Sequence, residues 1–193
     1  MQNPTTENTK LAIVTGSNKG IGYAIVEQLL LHPDKYSVVL TSRDIQRGEE
    51  AVGNLLKKYP EFKNRIHYHQ LDVSSSKSIE IFVQWFAEKH KSFYLLVNNA
   101  GVADNREIDM SKGKPDFATF LPPESTKNII HTNVRGLIEI TEKLLPYLAD
   151  DGRIISISSI LGSLQFQGET VQKWLSDSHW TSESFFNLLD EFE

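Results

Sequence analysis

Cysteine is absent from the 193 residues. That excludes a disulfide framework, a thiolate zinc site and a cysteine nucleophile. Positive charge is also in short supply: 20 Lys and Arg stand against 25 Asp and Glu, for a formal net charge of −5. A dedicated nucleic-acid binder is usually basic, and no polybasic block occurs here, so no nucleic-acid partner is expected. No run approaches the roughly 18 apolar residues of a membrane helix, so no membrane partner is expected either. Residues 1–9 are polar and lack the apolar centre of a secretory signal, and they read as a flexible N-terminal tail. The default reading is a soluble, cytoplasmic protein. With 39% hydrophobic content, residues 10–193 are expected to build one core.

Apolar, β-branched runs alternate with helix-patterned segments. Strands are expected at Leu11 to Thr15, Ser37 to Thr41, Ile66 to Leu71, Tyr94 to Asn98 and Arg153 to Ser158. Interiors such as Val38-Val39-Leu40 are continuous rather than alternating, as in strands covered on both faces. Helices are expected at Gly22 to Leu31, Arg47 to Lys58, Lys77 to Lys91 and Ser125 to Leu148. In the third, Ile79, Phe82, Val83 and Phe86 fall at helical spacing, and Ser74 to Ser76 offer caps. This alternation predicts an α/β fold: a doubly wound parallel sheet of Rossmann-like form with right-handed crossovers. The polar loop from Val102 to Pro123 is expected to border the ligand crevice.

The first strand breaks into Thr15-Gly16-Ser17-Asn18-Lys19-Gly20-Ile21-Gly22, and an amphipathic helix follows at once. A strand, a glycine turn and a helix N-terminus together aim free amides and a helix dipole at a phosphate. Gly16 permits the sharp turn, Gly20 the approach of a diphosphate, and Gly22 close packing of the helix. A free ribose 2′-hydroxyl calls for a carboxylate at the end of the second strand. Ser42 stands there instead, with Arg43 beside it and Lys19 in the turn, which favours a 2′-phosphate and hence NADPH. Asp44 next door could partly neutralise Arg43. After the third strand, Asp72-Val73 could meet the adenine edge, although Asp72 could equally cap the next helix. After the fourth, Asn98-Asn99-Ala100-Gly101 allows backbone to run along a ribose, and its Asn side chains can pin neighbouring strands.

These stations, with Thr132-Asn133 and Ser156-Ile157-Ser158-Ser159-Ile160-Leu161-Gly162, resemble the short-chain dehydrogenase/reductase family, and within it the carbonyl-reductase group. The resemblance covers nearly all of the chain beyond the tail. It implies hydride transfer between NADPH and a small carbonyl substrate, a ketone, aldehyde or quinone. By that resemblance Ser159 is the catalytic serine and Asn133 the asparagine of the proton relay. Gly16, Asn18, Lys19, Gly20, Ile21, Gly22, Arg43, Asp72, Val73, Asn99, Ala100 and Gly101 are the cofactor positions.

The family's Tyr-x-x-x-Lys pair should follow Ser159, yet no tyrosine occurs after Tyr147. Tyr59-Pro60-Glu61-Phe62-Lys63 matches literally, but Pro60 interrupts the helix that the spacing needs, and the segment precedes the third strand. Two helical pieces, Gln167 to Asp177 and Thr181 to Phe192, resemble the insertion that the carbonyl-reductase group carries between its Ser and its Tyr. Residues 163–193 are therefore read as a helical insertion, and the domain as truncated after the fifth strand. The full-length group implies a monomer, whereas an open fifth strand would favour self-association. A truncated, non-catalytic dinucleotide-binding or interaction protein is the alternative. An unrelated nucleotide-binding scaffold is a third reading.

Other residues receive ordinary roles. His67 and His69 share a strand face without a third ligand nearby, so no metal site is expected. Asp150-Asp151 leads a turn into a strand. Asp109 and Asp116 have no evident partner, and Trp85, Trp174 and Trp180 read as packing anchors. His131 and His179 are assigned no function.

Overall fold

The computed structural model describes residues 9–103, 123–166, 168–176, 179 and 181–190. They fall into two compact units, one of Met1–Val102 with His131–Ser156 and one of Ala103–Ile130 with Ile157–Glu193. Asp109, Asp116, Trp180, most of the Val102 to Pro123 loop and nearly all of the tail lie outside the described residues.

The first unit holds a five-stranded parallel sheet in the order β3-β2-β1-β4-β5. Its strands are β1 (Leu11–Val14), β2 (Ser37–Ser42), β3 (Ile66–Gln70), β4 (Phe93–Asn98) and β5 (Leu148–Ser156). Between them run α1 (Gly20–Leu31), α2 (Ile45–Lys58) and α3 (Ser76–Lys89). Successive residues of a strand point to opposite faces, so each apolar run feeds two cores. Ala12, Val14, Val38, Leu40 and Val97 meet Val26 and Leu30 of α1 and Ala51 and Leu55 of α2. On the other face Ile13, Val39 and Leu96 meet Ile79, Phe82 and Phe86 of α3, together with Ile140 and Leu144.

Those last two residues belong to a helix that differs from expectation. In place of one helix from Ser125 to Leu148 there are α4 (Pro123–Ile130), a π turn over His131–Arg135 and α5 (Gly136–Leu144). A 3-10 turn over Leu145–Tyr147 then leads into β5. Pro146 has no amide to continue the ladder, which ends the helix earlier than its apolar spacing suggests. A side chain at Gly136 would strike the Val73 carbonyl oxygen, so α5 approaches the turn between β3 and α3 closely. β5 also starts earlier than expected. Leu148 pairs with Phe93, the register then shifts, and the regular ladder runs from Leu95↔Arg153 to Asn98↔Ser156. The shifted stretch contains Asp150, Asp151 and Gly152, the residues read as a turn.

The second unit contains α4, short 3-10 turns at Ile160–Gly162 and Leu164–Phe166, α6 (Glu169–Leu175) and α7 (Ser182–Asp190). The two C-terminal helices fall inside the segments predicted from sequence. At the start of α7, Ser184 N donates to Thr181 Oγ1 (3.1 Å) and Thr181 N donates to Ser184 Oγ (2.9 Å), a reciprocal cap.

Candidate functional site

All five strands are parallel, so their C-terminal ends share one edge of the first unit, where α/β sheets bind ligands. Two residues of the β1–α1 turn have positive φ: Gly16 at 60° and Gly20 at 58°. A Cβ on Gly16 would lie 2.8 Å from Ala100 Cα, so the turn meets the segment after β4 backbone to backbone. A Cβ on Gly20 would meet open space. On Gly22 it would strike the Asn99 amide and Ser17 Cα, which explains how α1 sits so close to its own turn.

Side chains then lock this corner. Thr15 Oγ1 accepts from the amides of Asn99 (3.0 Å) and Ala100 (2.9 Å). Asn99 Nδ2 donates to the carbonyls of Thr15 (2.8 Å) and Gly16 (3.0 Å). Asn98 Nδ2 reaches Thr141 Oγ1 on α5 at 2.8 Å. Ser17 is fully buried, its hydroxyl donating to Val14 O at 2.8 Å and accepting from Thr41 N at 3.1 Å. It therefore holds the turn rather than a ligand.

The helix that follows is left open at its start. α2 is capped by Asp44, whose carboxylate accepts from Arg47 N at 2.9 Å, and α3 by Ser75, which accepts from Ser78 N at 3.4 Å. α1 has Lys19 at its N-cap with no side-chain hydrogen bond, and no acidic residue in its first turn. Free amides and a positive dipole end at this point are an anion site.

A cleft of about 580 Å³ opens over the corner. Every cofactor position expected from sequence lines it, from Gly16 and Asn18 in the turn through Arg43, Asp72 and Val73 to Asn99, Ala100 and Gly101. Asp44, Arg47, Leu71, Val102 and Thr132 line it too, and sequence reasoning did not assign them there. Arg47 was within reach, since it stands one helical turn beyond Arg43, but the helix was expected to begin only at Arg47.

Lys19, Arg43 and Arg47 are exposed and form no ion pair among the described residues. Asp44, considered as a neutraliser of Arg43, is committed to the α2 cap. Ser42 is 1% exposed, with its hydroxyl bonded to the Asp44 carbonyl and near Tyr68 OH, so it faces the fold. Burial pushes the Tyr68 phenol up, keeping it a neutral hydroxyl. Asp72 Oδ1 accepts from Ser74 N (3.0 Å) and Ser74 Oγ (2.7 Å), while the helix cap falls to Ser75.

Of the two residues given catalytic roles by resemblance, Asn133 lies in the π turn of the first unit. Its side chain clamps the Val102 backbone, accepting from the amide at 2.8 Å and donating to the carbonyl at 2.8 Å. Ser159 follows β5, in the second unit, where its carbonyl accepts from Gly162 N at 3.0 Å. Tyr59 opens a 3-10 turn, Pro60–Asn64, ahead of β3 and so at the edge opposite the cleft.

Residues 10–171 match the family described as short chain dehydrogenase. This chain belongs to the short chain dehydrogenase family. It is 34% identical over 197 residues to short-chain dehydrogenase/reductase 1 of Saponaria officinalis, covering 95% of this chain and 64% of that protein. Carbonyl reductase [NADPH] 1 of Sus scrofa is 33% identical over 190 residues, covering 96% and 60%. Among solved structures, menthone neomenthol reductase from Mentha piperita superposes with a TM-score of 0.81 at 33% identity, covering 96% of this chain and 73% of that one. The chain thus spans about 60% of the length of these curated relatives.

As for the dinucleotide that this family uses, the cleft fits one on its own features. The α1 amides suit a diphosphate, and Gly20 leaves it room.

Proposed function

We propose that the first unit is the cofactor-binding part of an NADPH-dependent reductase that converts a ketone, aldehyde or quinone to an alcohol. One observation carries the cofactor choice. Lys19, Arg43 and Arg47 face the cleft without ion-pair partners among the described residues, and the nearby Asp44 is held by the α2 cap. Cations so placed favour a 2′-phosphate over a free hydroxyl. The pig relative named as an NADPH carbonyl reductase supports the same choice.

The bound dinucleotide would supply the hydride. This chain's own residues would do the rest. Gly16 to Gly22 and the α1 amides hold the diphosphate, and Asp72 and Val73 border the base. Asn99 and Asn133 keep the Ala100 to Val102 wall in place through the bonds described above. Ser159 would orient the substrate carbonyl, a role taken from the family motif.

Titration calorimetry with NADPH and NADH tests the reading. NADPH should bind more tightly, and Arg43→Ala should reduce that preference about tenfold or more, since a charge-assisted bond to phosphate contributes about 1.5–3 kcal/mol. An unchanged NADPH/NADH ratio in Arg43→Ala would refute it.

A further inference from the structure

The two walls of the cleft are joined outside the glycine turn by side chains as well as by the sheet. One wall is the β2–α2 turn with Arg43, the other the β3–α3 turn with Asp72. Gln70, the last residue of β3, lies beside Ser42 in the parallel register, one residue short of Arg43. Its carboxamide donates through Nε2 to the Arg43 carbonyl at 3.1 Å. Its Oε1 accepts from Ser78 Oγ at 3.2 Å. Ser78 Oγ in turn accepts from the Asp72 amide at 2.9 Å. An unbroken relay therefore runs from the backbone of the cation to the backbone of the carboxylate.

The carboxamide serves the first link because it donates through its nitrogen and accepts through its oxygen at the same time. A leucine could fill the space without joining the turns. β3 is also an edge strand of the sheet, so the β2–α2 turn has no further strand to brace it. Alongside, Ser42 and Tyr68 hold the Asp44 carbonyl, but neither reaches the Asp72 side.

We infer that Gln70 and Ser78 are positioning residues that fix the spacing between Arg43 and Asp72 and thereby set the preference for a 2′-phosphorylated adenosine. This rests on the reading of the cleft as an NADPH site. A base and a ribose 2′-phosphate are rigidly spaced within one nucleotide. A protein that reads both gains affinity only if its two contact points hold the same spacing before binding. NADH, which lacks the phosphate, has little use for the relay.

The test is the ratio of dissociation constants for NADPH and NADH, with 2′,5′-ADP and 5′-ADP as shorter probes that lack the nicotinamide. Gln70→Met keeps the length and removes both bonds. Ser78→Ala opens the other link and places a strong helix former in α3, so it carries little folding risk. Each should weaken NADPH and 2′,5′-ADP about fivefold or more, the equivalent of about one hydrogen bond, while NADH and 5′-ADP change less than about twofold. Because both variants break one relay, the double variant should lose no more than Gln70→Met alone. General destabilisation would weaken both ligands of a pair alike and leave the ratio untouched.

A wild-type protein that prefers NADPH, with variants whose ratio is unchanged, overturns the relay and leaves the cofactor reading standing. Fully additive effects in the double variant would also overturn it. A wild type with no preference for NADPH refutes the cofactor reading and the relay together.

Discussion

The two edges of the sheet are built differently. On β3 every residue from His67 to Gln70 is engaged. His67 Nε2 lies 3.1 Å from Ser37 Oγ, and its ring packs against His90. Tyr68 reaches Ser42, His69 stacks on Trp85 with centroids 4.5 Å apart, and Gln70 ties two loops together. On β5 Ile154 faces the α3 and α5 core, but Ile155, beside Val97 on the other face, is 45% exposed. α1 and α2 cover that face over the central strands and do not extend over β5. The β3 edge is thus packed on both faces, while β5, the strand leading to Ser159, is packed on one side among the described residues.

The largest test of this contrast is Phe82→Ala. Phe82 is fully buried beneath β3 and stacks with His69, Trp85 and Phe86. Truncation should cost about 3–5 kcal/mol in urea unfolding. A cost under about 1 kcal/mol would mean that the β3 side is not well packed.

Asn99→Ala should come next. It removes the amide that donates to Thr15 O and Gly16 O and leaves both carbonyls without that donor. A loss of about 1–3 kcal/mol is expected, along with a marked fall in NADPH affinity, because the glycine turn loses its anchor. Retained affinity at reduced stability would show that the turn holds its shape unaided.

Much of the cleft half of the sheet was legible in the sequence. Continuous apolar runs marked the strands, and the glycine spacing marked the turn, because few side chains can occupy a positive φ or lie against a neighbouring backbone. What escaped was set by tertiary contact. Arg47 enters the cleft because Asp44 starts α2 two residues earlier than its apolar pattern implies. Gln70 and Ser78 look like ordinary polar residues until parallel register sets Gln70 beside Ser42. The break at His131–Arg135 has no compositional mark beyond Gly136, whose role depends on the Val73 carbonyl packed against it.

The third test is pH. Burial holds the His67 and His90 imidazoles below their ordinary range, and the pair's mutual repulsion lowers His90 further. A base with a lowered folded pKa binds fewer protons in the native state than in the unfolded chain. Its stabilising effect is complete above the unfolded value of about 6.5 and is lost as pH falls through the folded value. The melting temperature should therefore drop between pH 7 and pH 5. His67→Gln should flatten that slope, because it removes one of the two imidazoles and relieves the other. A slope equal to wild type would show that the half-buried imidazole pair does not set the acid sensitivity in this range.

The smallest effect is expected at Ile155. An exposed position on an edge strand tolerates substitution within about 0.5 kcal/mol, so Ile155→Lys should leave the urea midpoint almost unchanged. Its effect should instead be on association. An edge strand with unpaired amides and carbonyls and an apolar side chain beside them recruits a second copy, and an edge lysine opposes that pairing. Sedimentation velocity at increasing concentration should show self-association of the wild-type chain and less of it in Ile155→Lys. Destabilisation by more than about 1.5 kcal/mol would mean that Ile155 is covered in solution, and the contrast between the two edges would then fail at the residue that defines it.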